Sequence, residues 1–313
     1  MNRSKWLKSG SALLFGSVVL FSYQNCSSQG KMKFALASVE EKFGSIKCSN
    51  FGESHTSCLS SAYGLIGKLY YFLDKRTNAL DIASSIPNLV YDKENSAVAF
   101  PSGLTSVNML ISKGYTSDTY ILMQRVSTPA ISFSGGFQME DGSVIKDAQG
   151  KTLIEAFALD LKGKLKLGPG MQEGLYEIAT LSDDGSILEL DTNGDGQYDF
   201  TLNSDGLQSP KLSCLTKAFT LNESSRLPLR LRYYQGPRQT IALTLVMRKI
   251  SSVQDAGKDI GCGVSDGAGV YWFGGISSDV NYKPEYNNSP FGDLLRRGWF
   301  VPPKEAFALP DTL

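Results

Sequence analysis

The stretch LPLRLRYY, residues 227–234, decides the fold class, because apolar and basic side chains alternate along it with a period of two. Successive side chains of a strand point to opposite faces, so the leucines and Tyr233 would share one face and the arginines the other. Residues 240–250, TIALTLVMRKI, alternate in the same way after the loop 235–239. This pattern predicts two neighbouring strands of an antiparallel sheet with one buried side.

The rest of the chain repeats the strand signal in shorter runs. Strand-prone segments bounded by turn residues occupy residues 65–72, 120–126, 131–133 and 152–167. Helix signals are few, at 105–111 and at 289–298, where Ser289 would be the N-cap and Pro290 the first helical residue. We therefore predict an all-β fold, an antiparallel β-sandwich or barrel with short helices and a C-terminal extension.

The composition allows a full hydrophobic core and argues against nucleic-acid binding. The chain has 313 residues, 42% of them hydrophobic, with 31 basic and 31 acidic residues. This length accommodates one large β-domain or two small domains, and nothing in the neutral charge balance suggests nucleic acid, which would need a basic patch. We divide the chain into a signal peptide at 1–25, a tether with a disulfide loop at 26–60, the β-sandwich at 61–250, and an extension packed on it at 251–313.

The N-terminus resembles a bacterial lipoprotein signal. Basic residues precede the apolar run 12–21, which is too short to cross a bilayer as a helix. Cys26 then stands at the position of the lipid-acceptor cysteine, although residues 23–25 are Tyr-Gln-Asn, where that family's box usually carries Leu and then small residues. We expect residues 1–25 to be removed and the exported protein to be held by a lipid on Cys26, at the outer membrane or cell surface.

The remaining cysteines predict disulfides. Four are left after Cys26: Cys48, Cys58, Cys214 and Cys262. An even set in an oxidising compartment allows three pairings. The short loop favours Cys48–Cys58, which leaves Cys214–Cys262 to tie the C-terminal part to the main domain. A Cys/His metal site is disfavoured because no CxxC occurs and His55 is the only histidine.

Residues 182–200, SDDGSILELDTNGDGQYDF, hold two acidic turns separated by a short alternating strand. Calcium takes six to eight oxygen ligands, so short acidic side chains on a sharply bent backbone suit it. The second turn has the spacing of a calcium loop, with candidate ligands Asp191, Asn193, Asp195, the backbone carbonyl of Gln197, and Asp199. Leu202 replaces the closing Glu of an EF-hand, so we interpret the turn as a calcium-type loop in a β-hairpin. A metal-free Asp/Asn/Gly turn is the alternative.

Four motifs in order resemble the β-sandwich carbohydrate-binding domain named after a toxin's protective antigen, the PA-fourteen domain. They are GLIGKLYY at 64–71, PAISF with GF at 129–137, GLYE leading into SDDGS at 174–186, and PLRLRYYQGPR continuing into IAL at 228–243. Together the motifs span about residues 61–250. The resemblance implies a β-sandwich over this range.

The resemblance also implies a binding site. Sugar-binding members ligate calcium with adjacent aspartates joined by a cis peptide, which Asp183 and Asp184 match, and the metal grips sugar hydroxyls. A second loop supplies an amide side chain and backbone carbonyls, for which Gln235 is the match, although adhesin members carry Asn there. The remaining loop residues expected at the ligand are Pro237, Arg238 and Gln239. The 191–199 loop would be a second, structural calcium site, or would replace the first.

Two functions from different classes follow. The leading hypothesis is a monomeric surface lipoprotein that binds a glycan or glycoprotein through calcium, with Tyr234 or Tyr198 stacking on the sugar. The alternative is a non-catalytic structural or protein-interaction module of the cell envelope, in which calcium and disulfides only stabilise. An enzyme is disfavoured, because the acidic residues cluster in metal-type turns rather than facing each other across a cleft. His55 lies in a Ser-rich loop that offers no triad.

Overall fold

A computed structural model describes residues 48–50, 53–55, 63–71, 90–92, 97–99, 106–124, 126–132, 137, 144–146, 150, 152–153, 156–236, 240–264 and 290–313. Several predictions from the sequence concern positions outside these ranges. They are the signal peptide at 1–25, Cys26, Cys58, Pro237, Arg238 and Gln239.

The described elements are mostly strands. In chain order they are β1 Cys48–Asn50, β2 Glu53–His55, β3 Leu65–Tyr71, β4 Val90–Asp92, β5 Ala97–Ala99, β6 Tyr115–Met123, β7 Ser127–Ser132, β8 Phe157–Leu165, β9 Gly174–Asp183, β10 Ser186–Leu190, β11 Phe200–Ser204, β12 Lys211–Cys214, β13 Phe219–Leu221, β14 Leu227–Gln235, β15 Thr240–Ile250 and β16 Phe307–Ala308. Two short α-helices accompany them, α1 Val107–Lys113 and α2 Pro290–Arg296. Short 3-10 turns lie at Val253–Asp255 and Lys304–Ala306.

The strands form two main sheets. One has nine strands in the order β11-β10-β14-β8-β3-β6-β1-β2, with β16 added beside β8, and the other has five in the order β12-β9-β15-β7, with β13 beside β9. Strands β4 and β5 form a separate pair. Neighbouring strands are antiparallel apart from β1 and β6. The predicted all-β antiparallel sandwich with short helices is confirmed. Within the described residues no helix has the length and apolarity to span a membrane.

The core lies between the two sheets. The prediction that β14 and β15 neighbour each other in one sheet is wrong, because the chain crosses between the sheets after Gln235, so that β14 pairs with β10 and β8 and β15 with β9 and β7. The alternating apolar residues of both strands nevertheless face the core, as predicted. Leu229, Leu231 and Tyr233 are at most 1% exposed. The same cluster contains the alternating residues of β15: Ile241, Leu243, Leu245 and Met247.

The opposite faces of β14 and β15 are also covered, which the alternation did not predict. Arg232 of β14 is buried beside α1, where it forms an ion pair with Glu189 (2.8 Å) and donates a hydrogen bond to Asn108. On β15, Ala242 and Val246 are fully buried in a second apolar cluster. The expectation of one buried side is therefore wrong for these strands, because α1 covers the second side of β14 and the C-terminal residues cover that of β15.

The described parts of residues 251–313 supply much of that cover. Leu294 of α2 and Trp299 pack into the cluster of Ala242 and Val246. Phe300 extends the sheet edge, because it exchanges two backbone hydrogen bonds of 2.8 Å with Met247. The C-terminal segment thus adds both apolar contacts and backbone pairing to the five-stranded sheet.

Ion pairs and one disulfide hold the same region. Arg248 of β15 donates to the buried Glu177 (2.6 Å) and to Asp259 (3.0 Å), and Asp259 also accepts from Arg297 (3.0 Å). The predicted Cys214–Cys262 disulfide is confirmed, with a Cα–Cα distance of 5.3 Å. The Cys48–Cys58 bridge stays a prediction, because Cys58 lies outside the described residues.

Candidate functional site

Two turns that carry the chain from one sheet to the other meet at one edge of the sandwich. The turn after Asp183 leads from β9 in the five-stranded sheet to β10 in the nine-stranded sheet. The segment after Gln235 leads from β14 back to β15. Because Ser186 pairs with Tyr233 and Asp183 with Ala242, the two crossings lie side by side. Strand register alone therefore brings the aspartate pair to Gln235.

Hydrogen bonds join the two turns directly. The N–H of Gly236 donates to Asp184 Oδ2 at 2.8 Å. The Tyr233 hydroxyl lies 2.5 Å from the backbone carbonyl oxygen of Asp183 and 2.6 Å from Gln235 Oε1. The peptide bond between Asp183 and Asp184 is cis. The structure thus brings together the three residues that the resemblance placed in the site.

A third segment, residues 205–210 after β11, completes the surroundings of Asp184. The Gln208 backbone N–H donates to Asp184 Oδ1 (3.1 Å), and its side-chain amide donates to the Asp184 carbonyl oxygen (3.2 Å). Leu207 is 37% exposed at the rim of this junction. Sequence reasoning missed the segment, because nothing in its composition relates it to a turn more than twenty residues earlier.

Burial dominates the electrostatics of Asp184. The residue is 5% exposed, and this desolvation raises the pKa of its carboxyl group to about 6, although the hydrogen bonds from Gly236 and Gln208 act in the opposite direction. Burial, followed by the charges of Asp184 and Asp205, raises the pKa of the Tyr234 hydroxyl. The junction is therefore a buried region of negative charge.

Two glycines allow the close approach. A Cβ atom on Gly236 would lie 3.0 Å from Asp184 Oδ2 and 2.7 Å from Leu207 Cδ2. A Cβ atom on Gly185 would lie 2.4 Å from Tyr234 Cε1. A side chain at either position would push the two turns apart. Glycine is therefore needed at both positions to avoid a steric clash.

The oxygens at the junction suit calcium. Asp183 and Asp184 offer carboxylates and Gln235 an amide oxygen, which are the hard donors that calcium takes. All three residues are buried, and the lost hydration of the Asp184 carboxylate raises its pKa, so a proton or a cation stabilises that group. An amide oxygen has two lone pairs, so the hydrogen bond from Tyr233 is compatible with a metal bond.

The second acidic loop is a separate feature at the other end of β10. It closes the β10–β11 hairpin, in which Leu190 pairs with Phe200. Five residues of strand place it about 17 Å from the Asp184 turn. The two acidic turns therefore do not form one site.

Hydrogen bonds within the loop occupy its acidic and amide side chains. Asp191 accepts from the backbone N–H groups of Gly194 (2.7 Å) and Gly196 (2.9 Å). Asn193 accepts from Asp195, and Asp195 from Gln197. These contacts account for the Asp/Asn/Gly composition as turn chemistry.

Asp199, the expected closing ligand, accepts from the backbone and the hydroxyl of Thr192, each at 2.6 Å. The side-chain hydrogen bond is the main cause that lowers the pKa of Asp199. In the part of the chain that the structure describes, no three His, Cys, Asp or Glu side chains are grouped to hold one metal ion. Calcium in this loop stays a prediction.

Comparison with known proteins returns solved structures only: no family model and no curated protein matches the chain. The PA14 sugar-binding domain from an RTX adhesin is 18% identical, with a TM-score of 0.35, covering 60% of this chain and 90% of that one. The PA14 domain of the antifreeze protein MpAFP is 15% identical, with a TM-score of 0.35, covering 63% and 84%. The epithelial adhesin 9 A domain from Candida glabrata, solved with Galβ1-3GlcNAc, is 13% identical, with a TM-score of 0.31, covering 66% and 88%.

The first two of these neighbours are PA14 domains. PA14 is also the family that the four sequence motifs resemble. These similarities do not identify a ligand for this chain.

Neither of the aromatic residues predicted to stack on a sugar is available at the Asp184 turn. Tyr234 is fully buried, so its ring has no face for a ligand. Tyr198 is 38% exposed but belongs to the 191–199 loop, away from the Asp184 turn. Leu207 is the exposed apolar side chain at the junction rim instead.

Proposed function

We propose that this chain binds glycans through a calcium ion held by Asp183, Asp184 and Gln235. The observation that supports the proposal most strongly is the convergence of two sheet-crossing turns on a buried pair of adjacent carboxylates and a buried amide. Two adjacent carboxylates in a region of low dielectric attract a divalent cation, because its charge offsets both.

Calcium suits the proposal because it has more coordination positions than the side chains of Asp183, Asp184 and Gln235 fill. It takes six to eight oxygens, so when bound it leaves positions for the vicinal hydroxyls of a sugar. Asp183, Asp184 and Gln235 hold the cation, and Leu207 at the rim contributes an apolar surface beside it. The proposed ligand is thus a glycan, free or on a glycoprotein.

Calorimetric titration and a glycan array, each with and without chelator, test the proposal. The Asp184→Asn variant keeps the shape of the side chain and removes its charge, and we expect it to lose both calcium and glycan binding. Asp195→Asn makes the same change in the separate 191–199 loop, and we expect it to retain glycan binding. Glycan binding that is unaffected by chelator would contradict the mechanism.

The alternative is a structural module of the cell envelope, and one observation favours it. Each oxygen of the Asp184 carboxylate accepts a backbone N–H from a different segment, so the turn also joins parts of the fold. This role predicts that calcium raises the melting temperature while the array shows no glycan. It also predicts that Asp184→Asn lowers the stability of the fold without removing any ligand.

We further propose that the protein is exported and anchored by a lipid on Cys26, as the signal-like N-terminus suggests. Metabolic labelling with a radioactive fatty acid tests this. We expect label in the wild type and none in Cys26→Ser, which should also leave the membrane fraction. Equal labelling of both proteins would exclude Cys26 as the acceptor.

A further inference from the structure

The hydroxyl of Tyr234 is a buried polar group for which the described residues supply no hydrogen-bond partner. The side chain is fully buried, and its ring packs with Val107 and Leu110 of α1 and with Ile187. Buried hydroxyl groups are almost always paired with protein atoms or ordered water. The absence of a partner among the described residues therefore points to another occupant beside the hydroxyl.

The ring of Tyr234 lies between the carboxylates of Asp184 and Asp205. A Cβ atom built on Gly185 would lie 2.4 Å from Tyr234 Cε1 and 2.8 Å from Asp205 Oδ1, so both groups are close to this glycine. On the other side, the Cβ position of Gly236 is 3.4 Å from Tyr234 Cε2 and 3.0 Å from Asp184 Oδ2. The end of the ring that carries the hydroxyl is thus directed between the carboxylates of Asp184 and Asp205.

Asp205 is held in place independently of any ligand. Its Oδ1 atom accepts from the N–H of Val107 (2.9 Å), the first residue of α1, and from Gly206 (3.0 Å). The carboxylate therefore belongs to a hydrogen-bonded contact between α1 and the segment after β11.

We infer that Asp205 and Tyr234 extend the cation site proposed above by holding, together with Asp184, one water molecule that is bound to the calcium ion. A buried water requires two to four polar partners, and these three groups supply them. Calcium sites commonly include water among their ligands. The inference rests on the proposed function, because it takes calcium at Asp183 and Asp184 as its starting point.

An indirect role for Asp205 agrees with the arrangement of the carboxylates. Among the described side chains, no three acidic groups are placed to hold one metal ion directly. Asp205 therefore acts through the water and not as a ligand, and Tyr234 likewise positions the water. Both are positioning residues for the site.

Calcium titration by calorimetry on the purified protein tests the inference with two variants. Tyr234→Phe removes only the hydroxyl, and Asp205→Asn keeps an oxygen that accepts from Val107 while removing the charge. We expect each to lower calcium affinity by about ten-fold, the usual effect of losing a group that orients a metal ligand. Tyr198→Phe and Asp195→Asn make the same chemical changes in the other acidic loop and should leave this affinity unchanged.

Melting in chelator separates this role from a structural one. Without calcium, Tyr234→Phe should melt at or above the wild-type temperature, because it removes an unpartnered buried hydroxyl. Wild-type affinity in both variants would overturn the inference and leave the proposed function standing. A wild-type protein that binds no calcium would overturn both. If Tyr234→Phe fails to fold, the affinity of Asp205→Asn decides the question.

Discussion

The carboxylate of Asp184 accepts one backbone N–H on each oxygen, from Gln208 and from Gly236, and is almost removed from solvent. Two hydrogen bonds stabilise the charged form, yet burial outweighs them and raises the pKa to about 6. The residue is therefore held in a state that a proton or a cation stabilises. This competition makes Asp184 the natural probe of the site.

The stability of the calcium-free protein should depend on pH through Asp184. Because the pKa is raised on folding, the folded state binds the proton more tightly, and this contribution is fully present below the ordinary value of 3.8. It is lost as the pH rises through about 6, and the total change is about 3 kcal/mol. Urea unfolding in chelator, for the wild type and Asp184→Asn, measures it.

The variant serves as the reference because Asn does not titrate. The unfolding free energy of the wild type, relative to that of Asp184→Asn, should fall across this pH interval. A difference that is the same at both ends of the interval would show that Asp184 has an ordinary pKa. Added calcium should raise the wild-type value most at the upper end, where the carboxylate is charged.

Gly185→Ala tests the close approach of the two turns. The new Cβ would lie 2.4 Å from Tyr234 Cε1 and 2.8 Å from the backbone nitrogen of Gly206, so the ring and the backbone would both have to shift. We expect a loss of about 1–3 kcal/mol in the free energy of unfolding, together with weaker calcium binding. An unchanged stability would mean that the turns separate easily.

At the scale of elements, the short hairpin of β10 and β11 separates two acidic turns with different surroundings. The turn before β10 is buried against β14 and the segment after β11, whereas the loop after β10 bonds mainly to its own backbone. The better calcium spacing in the sequence therefore belongs to the loop with fewer long-range partners. The local calcium pattern and the proposed site differ here because the Asp184 side chain bonds to two distant segments, whereas the acidic side chains of the second loop bond within that loop.

Asp191→Ala tests the structural role of the second loop. Asp191 is 2% exposed and accepts from Gly194 and Gly196, so its removal leaves two N–H groups without their partner. We expect a loss of about 1–3 kcal/mol in the free energy of unfolding, with glycan binding retained. Asp191→Asn, which keeps one oxygen, should lose less.

Calcium titration of the same variant decides whether this loop binds metal. If it does, Asp191→Ala should lower the number of bound calcium ions by one, while the ion proposed at Asp183 and Asp184 remains. Unchanged stoichiometry would identify the loop as a hydrogen-bonded turn without metal.

At the scale of the whole molecule, the C-terminal segment is part of the folded domain. Trp299 and Leu294 cover the outer side of β15, Phe300 pairs with Met247, and the Cys214–Cys262 disulfide joins the segment to β12. These contacts bury the outer side chains of β9, β12 and β15 that belong to the same apolar cluster. Loss of the disulfide should therefore weaken the whole sandwich.

The double variant Cys214→Ala/Cys262→Ala measures that contribution. The bridge closes a loop across a sequence separation of 48, for which the chain-entropy relation gives about 4 kcal/mol. We expect a decrease of this order in the free energy of unfolding, with one cooperative transition. Two separate transitions would show instead that the C-terminal segment unfolds independently of the sandwich.

The sequence predicted the fold class and the positions of β14 and β15 well, because side-chain alternation is a local property. It was wrong in making the two strands neighbours, because sheet membership depends on pairing with distant strands. The range of β15 coincides with the predicted strand, and Asp183, Asp184 and Gln235 meet as the motifs implied. It did not predict that β15 is buried on both sides, since the covering residues come from α2 and Trp299. It also did not predict the position of Gln208 beside Asp184.

The sequence by itself determined the strands, the acidic turns and the resemblance that relates Asp183 and Asp184 to Gln235. Only the tertiary structure decided which turn is buried, which aromatic side chains are available to a ligand, and that Gln208, Asp205 and Tyr234 surround the aspartates. The physical reason is register. Strand pairing between β10 and β14, and between β9 and β15, brings distant turns to one edge, and no local pattern records that distance.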